Sequence, residues 1–130
     1  MQDSIFTKII KGEIPCHKVY EDDKTFAFLD IHPIHPGHVL VVPKKQVDLL
    51  WDLDDTDYQA VMATAKKVAK RIKEVLRPVR VGVHVAGLEV PHVHIHLFPF
   101  SSNEDFWTRP DSSAEPDHAA LAEMAKKLAF

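Results

Sequence analysis

From Asp55 to Leu76, apolar residues return at steps of three and four. Tyr58, Val61, Met62, Ala65, Val68, Ala69, Ile72, Val75 and Leu76 then share one face, the signature of a long amphipathic helix. Its other face, with Lys66, Lys67, Lys70, Arg71, Lys73 and Glu74, reads as solvated surface. Pro78 ends the helix because it has no amide hydrogen to continue the ladder. Near the start of the chain Ile5, Phe6 and Ile9 line a shorter helix, with Asp3 or Ser4 as N-cap and Gly12 suited to a left-handed stop. Helical spacing resumes after Pro116 through Leu121, Met124, Ala125 and Leu128.

Between these helices the pattern changes to strands. Residues 18–21, 25–29 and 38–43 are β-prone runs separated by Asp22-Asp23-Lys24 and by the proline-rich turn at 33–37, which predicts an antiparallel meander. Residues 79–85 alternate valine with Arg80, Gly82 and His84, a period-two strand with one buried face. A turn around Gly87 leads to a last strand at 92–99. The serines, acids and prolines of 101–117 predict a loop or an arm over the surface. No repeat and no second core is evident. The expectation is a single domain over 1–130, with its core at about 3–100 and a C-terminal helix at 116–129. The fold class is α+β, a five-stranded antiparallel sheet with a long helix and shorter terminal helices.

Charge and composition narrow the functional classes. Sixteen basic and nineteen acidic residues leave a net charge of −3, so no basic field exists to hold a nucleic acid polymer. Cys16 is the single cysteine, which fits a reducing compartment, and the cytoplasm is the expected location. Residues 1–11 lack the uninterrupted apolar core of a secretory signal, and no apolar run approaches membrane-spanning length. One bias stands out. Of nine histidines, six fall in two clusters, His32, His35, His38 and His92, His94, His96.

In a strand, successive side chains point to opposite faces, so Val93, Ile95 and Leu97 can enter the core while the three imidazoles line the other face, about 6.5–7 Å apart. A single strand histidine is usually structural. Three on one face need a use, because histidine favours strands less than Val or Ile and is costly to bury unpartnered. Zinc binding is one use, although three ligands along one straight strand converge poorly on an ion about 2 Å from each nitrogen. The other is nucleophilic attack on phosphorus by a neutral imidazole, its neighbours setting its tautomer, hydrogen-bonding phosphoryl oxygens or protonating the leaving group.

The run His92-Val93-His94-Ile95-His96-Leu97-Phe98 resembles the signature of the histidine triad (HIT) family. Two further blocks resemble the same family in order. They are residues 3–23, with Ser4-Ile5-Phe6-Thr7-Lys8-Ile9-Ile10, and residues 26–45, with Leu29-Asp30-Ile31-His32-Pro33 and Pro36-Gly37-His38-Val39-Leu40. The resemblance implies a HIT-like fold and a homodimer that extends its sheet across a two-fold axis. It implies hydrolysis at the α-phosphorus of a purine nucleotide of nucleoside phosphoramidate or acyl-nucleotide type, through a nucleotidyl-histidine on His94. His92 and His96 would flank it and His38 would assist from the neighbouring strand. Asp30 would hold the ribose hydroxyls, and Ile5, Phe6, Ile9, Phe28, Ile31 and Leu40 would form the apolar cleft for the base. By spacing alone each of these apolar residues would be assigned to the core. Neither a metal nor an organic cofactor is required. Dinucleoside polyphosphate hydrolysis and a non-catalytic nucleotide-binding or scaffold dimer are the alternatives.

The chain departs from the family in two places. Leu88-Glu89 stand where Gln followed by Ser or Thr is expected, and a carboxylate there would repel phosphate unless it turns away or meets a cationic leaving group. Many bacterial members hold a structural zinc partly through a Cys-x-x-Cys pair. Ser4 and Thr7 take those positions here, Gln46 stands where a histidine ligand can follow the two lysines, and the zinc is expected to be missing. His17, His32, His35, His84 and His118 match no family catalytic position and read as turn or surface residues.

Overall fold

The computed structural model describes residues 2–130; Met1, within the expected 1–130 domain, lies outside the described residues. Helix α1 (Ile5–Ile10) begins at Ser4, whose Oγ accepts from the Thr7 amide. It stops at Gly12, which adopts φ +81°, a conformation glycine reaches without a Cβ clash. Strands β1 (Lys18–Glu21), β2 (Thr25–Leu29) and β3 (Val39–Pro43) form the expected meander. Helix α2 (Asp55–Leu76) has the bounds its periodicity predicts. Asp54 caps its amides, and Asp55 and Asp57 sit at the positive end of its dipole. Strands β4 (Arg80–His84) and β5 (Ile95–Phe100) complete a five-stranded sheet of order β1-β2-β3-β5-β4, antiparallel throughout. Helix α4 (His118–Leu128) closes the chain, capped by Asp117.

Every residue of β2 and β3 is buried, because the two faces of the sheet are covered by different helices. Ala27, Leu29, Val39, Val41, Ile95 and Leu97 pack under α2 with Val61, Ala65, Val68 and Ile72. On the other face Phe26, Phe28, Leu40 and Val42 pack against Phe6 and Ile9 of α1. The period-two alternation of each central strand thus feeds two cores, and the face under α1 is the one that carries the histidines. No helix among the described residues is long and apolar enough to cross a membrane.

Two expectations need correction. The last strand begins at Ile95, not at His92: residues 92–94 leave the ladder, with the Val93 amide donating to the Val47 carbonyl and the His92 amide to that of Val90. Pro91, which lacks an amide hydrogen, cannot extend the pairing. The segment 101–117 is not wholly irregular. Ser102 caps a single helical turn, α3 (Asn103–Phe106), that brings Phe106 against Phe98 and Phe100 at ring-centroid distances of 5.5 and 5.1 Å.

Arg77 ends α2 at φ +53°, ψ +44°, the one positive-φ residue other than glycine among the described residues. Glycine avoids the Cβ strain of that region, so Arg77→Gly is expected to stabilise the fold by about 0.5–1 kcal/mol. Urea denaturation reads this directly, and a destabilised variant would refute it.

Candidate active site

The sheet register explains which imidazoles meet. His96 lies opposite Leu40 of β3 on one side and opposite His84 of β4 on the other. His38, two residues before Leu40 on the same face, is the diagonal neighbour of His96 and reaches it: His38 Nε2 and His96 Nδ1 are 2.9 Å apart. His94 lies beyond the paired part of β5, its ring 5.1 Å from that of His96 and 5.0 Å from that of Phe6, edge-on to both.

Backbone partners assign the ring protons. The Ile34 amide donates to His38 Nδ1 at 3.0 Å, so the proton of neutral His38 is on Nε2 and is donated to His96 Nδ1. His96 therefore carries its own proton on Nε2. His94 Nδ1–H donates to the His92 carbonyl at 2.8 Å, which leaves the Nε2 lone pair free. His92 Nε2–H donates to the Pro43 carbonyl at 2.7 Å, and its Nδ1 accepts from the Ser4 hydroxyl at 2.7 Å. Backbone contacts, relayed to His96 through the His38 imidazole, thus leave a lone pair on His94 and a hydrogen-bond donor on His96.

Burial disfavours protonation of His38, His96, His92 and His84. His38 and His96 are both pushed down to about 3, chiefly by desolvation and then by neighbouring imidazoles, and desolvation also lowers His92 and His84. An unfolded histidine takes up a proton near 6.5, whereas folded His38 and His96 refuse it until about pH 3. Below pH 6.5 the unfolded state therefore binds more protons, and stability is expected to fall steadily from there toward pH 3. Chemical denaturation at a series of pH values checks this. A His38→Gln, His96→Gln pair should flatten the slope.

Several expected site residues come together and others stand apart. Asp30 is half-buried beside His38, with Oδ1 accepting from the His32 amide at 2.8 Å and Oδ2 3.7 Å from His38 Nε2; burial raises its carboxyl pKa. Phe6, Ile9, Phe28 and Leu40 are packed into the second core, as spacing alone would assign them, and Phe6 touches both His92 and His94. Ile5 is 48% exposed and Ile31 42% exposed. Ile31 lines a groove of about 250 Å³ with Pro33, Pro36, Leu121 and Met124.

The evenly spaced row of three imidazoles needs correction. Only His96 is within β5; His92 is fully buried and sealed by Ser4 and Pro43, because the chain leaves the ladder at 92–94. His94 is 7% exposed and borders a cavity of about 120 Å³ with Leu49, Trp51, Val85 and Gly87.

His84 is exposed, as expected of a surface residue, but it lies on β4 and not in a turn, and it has a partner that the sequence did not disclose. Its ring stacks on His96 at 4.4 Å with 14° between planes. The alternation that puts His84 on one face with Gly82 was legible in the sequence, but its partner follows from the β4–β5 register. His35 and His32 do belong to turns, and their Nε2–H groups pin the 101–117 segment through the carbonyls of Asp105 and Ala114.

Ser4, Thr7 and Gln46 do meet around His92. Gln46 Oε1 accepts from the Ser4 amide and the Thr7 hydroxyl, each at 2.7 Å, and Gln46 Nε2 donates to the Gln2 carbonyl at 2.8 Å. Two hydroxyls and an amide, with their polar atoms engaged, do not fit a zinc ion. Asp30, His38 and His96 place one donor atom each within 4.8 Å of one another, yet the hydrogen bond joining the two imidazoles would have to break before a cation could enter.

Residues 11–103 match the HIT domain family. The chain belongs to the HIT family. An uncharacterized HIT-like protein of Borreliella burgdorferi is 40% identical, covering 100% of this chain and 99% of its own length. An adenosine 5'-monophosphoramidase of Schizosaccharomyces pombe is 35% identical over 95% of this chain and 97% of its own. Among solved HIT structures, a Hit-like protein of Bartonella henselae superposes with a TM-score of 0.83 at 34% identity, covering 97% of this chain and 94% of that one. The five-stranded antiparallel sheet with its long helix is the HIT fold.

Proposed function

We propose that this HIT protein hydrolyses purine nucleotides at the α-phosphorus, with an amine or acyl leaving group, through a nucleotidyl-histidine on His94. The observation that carries this reading is the free lone pair on His94 Nε2 beside the Nε2–H of His96, each set by the chain of contacts around it. The S. pombe relative, named an adenosine 5'-monophosphoramidase, supports the nucleotide and the amine.

In the first step His94 Nε2 bonds to phosphorus and the bond from phosphorus to the leaving group breaks. The leaving group takes its proton from water. The positive charge on the His94 ring is stabilised through Nδ1–H by the His92 carbonyl. His96, held neutral, donates its Nε2–H to a phosphoryl oxygen and does not give up the proton, since that would leave an imidazolate. His38 supports it, and Asp30 accepts from the ribose hydroxyls. Phe6 and Ile5 supply apolar surface for the base, with Ile9, Phe28 and Leu40 behind, and Ile31 extends it beside Asp30. A second water then attacks phosphorus as its proton passes to the hydroxide left by the first, the bond to Nε2 breaks, and the mononucleotide leaves with the neutral ring restored.

Incubation with adenosine 5'-phosphoramidate, acid-free quenching and mass spectrometry tests this. A nucleotidyl adduct on His94 is expected. No adduct and no turnover across phosphoramidate, acyl-nucleotide and dinucleoside polyphosphate substrates would favour a binding protein, whereas faster turnover of the last would favour a dinucleoside polyphosphate hydrolase.

The partner we propose is a second copy. β4 is an edge strand with unpaired backbone groups, and Val79, Val83 and Val85 are exposed along it. Pairing of two such edges about a two-fold axis would make one ten-stranded sheet. Light scattering is expected to give the mass of two chains for the native protein and of one for Val83→Lys. A monomeric native protein would dismiss the dimer.

A further inference from the structure

Of the five histidines that match no family catalytic position, His84 is the one that stacks on a ring of the triad. It stands directly across the ladder from His96, and the two imidazoles lie face to face at 4.4 Å with 14° between planes. The other rings meet His96 at an angle: His38, which donates its Nε2–H to His96 Nδ1, at 49° between planes and His94 at 64°, so among the described residues His84 is the one ring that lies flat on it. A hydrogen bond at one ring nitrogen leaves the ring free to tilt about that contact, because the terminal torsion of histidine is broad. The face of His84 blocks this tilt.

The neighbourhood of His84 is shaped to keep it there. Phe98 meets His84 edge-on at 5.5 Å and His38 at 5.8 Å, so one phenyl ring floors both partners of His96. Gly82, two residues earlier on the same face of β4, makes room for that phenyl. A Cβ at Gly82 would lie 2.9 Å from Phe98 Cζ, and Phe98 is fully buried and cannot yield.

We infer that His84 is a positioning residue for the reaction site: by stacking, it fixes the plane of His96 so that the Nε2–H of that ring stays aimed at the phosphoryl oxygen. The kinetic consequence rests on the hydrolase reading above, while the effect on His96 itself does not. His84 makes no bond to phosphorus and gives no proton in this role; a flat ring of similar size should serve as well.

The test uses His84→Ala and His84→Phe in the full chain. Nitrogen-15 NMR of the imidazoles is expected to show His96 as one neutral tautomer protonated at Nε2 in the native protein and in His84→Phe, and as an averaged mixture in His84→Ala. With adenosine 5'-phosphoramidate, His84→Ala is expected to lose about tenfold in kcat with KM within about twofold, as misalignment of a donor does. His84→Phe should recover kcat to within about threefold of the native value.

An unchanged His96 spectrum in His84→Ala would overturn the inference, as would a His84→Phe protein as impaired as His84→Ala. Should the native protein fail to turn over any nucleotide, the hydrolase reading falls, and the NMR comparison alone decides the role of His84. Because β4 is an edge strand and His84 is exposed on it, both variants are expected to fold.

Discussion

Replacement of His94 by alanine is expected to lower kcat on adenosine 5'-phosphoramidate by on the order of 10⁴-fold or more, because it removes the atom that bonds to phosphorus. The fold should survive. The His94 ring touches Phe6 and His96 at its edges and makes one hydrogen bond, to the His92 carbonyl, that the variant leaves open to water in the adjoining cavity. Nucleotide binding should persist for the same reason: Asp30 and the apolar wall do not depend on that ring. Calorimetric titration with the product mononucleotide, beside single-turnover kinetics, separates the two effects. If His94→Ala retained more than about a tenth of native kcat, the phosphorus would be bonding elsewhere.

The second large effect concerns the floor of the site. Phe98→Ala should cost about 3–5 kcal/mol of folding free energy, the usual range for emptying a buried phenyl site. Phe98 is 1% exposed and packs against Phe100 and Phe106 at 6.2 and 5.5 Å, besides His38 and His84. Its loss removes one of the contacts that tie the 101–117 segment to the sheet, beside Phe100–Phe106, as well as the support of two imidazoles. Urea denaturation should show a lower midpoint, and the His38 and His96 imidazole signals should broaden in the same protein. Phe98→Leu, which keeps most of the volume, should cost far less. A loss below about 1 kcal/mol for the alanine variant would mean that the site collapses without a cavity.

Where local periodicity decided the structure, it was legible. Helix α2 has the bounds predicted from Tyr58, Val61, Ala65, Val68 and Ile72, and β1 and β2 have theirs, because a stripe of apolar residues matches one backbone period and no other. The His-Val-His-Ile-His run misled at its start. Alternation continues through residues 92–94 although the backbone leaves the ladder there, and the pattern carries no mark of that departure except Pro91. Phe106 was hidden for a similar reason, since one apolar residue among serines and acids has no period.

The chemical cluster was partly legible. His38 and His96 were both singled out, but their direct contact depends on β3 and β5 being neighbours, a pairing between residues 58 apart in the chain. The Ser4, Thr7 and Gln46 network was visible only as a set of poor zinc ligands; that it holds His92 requires α1 and the chain after β3 to meet.

The amino-acid order by itself determined the helices, most of the strands, the α+β class and the concentration of imidazoles, because each follows from spacing within a few residues. Tertiary structure alone decided which ring nitrogen carries a proton, that His92 is sealed and His94 keeps a free lone pair, and that His84 covers His96. Those outcomes rest on carbonyls, amides and rings contributed by distant strands, and no local period encodes the register that brings them together.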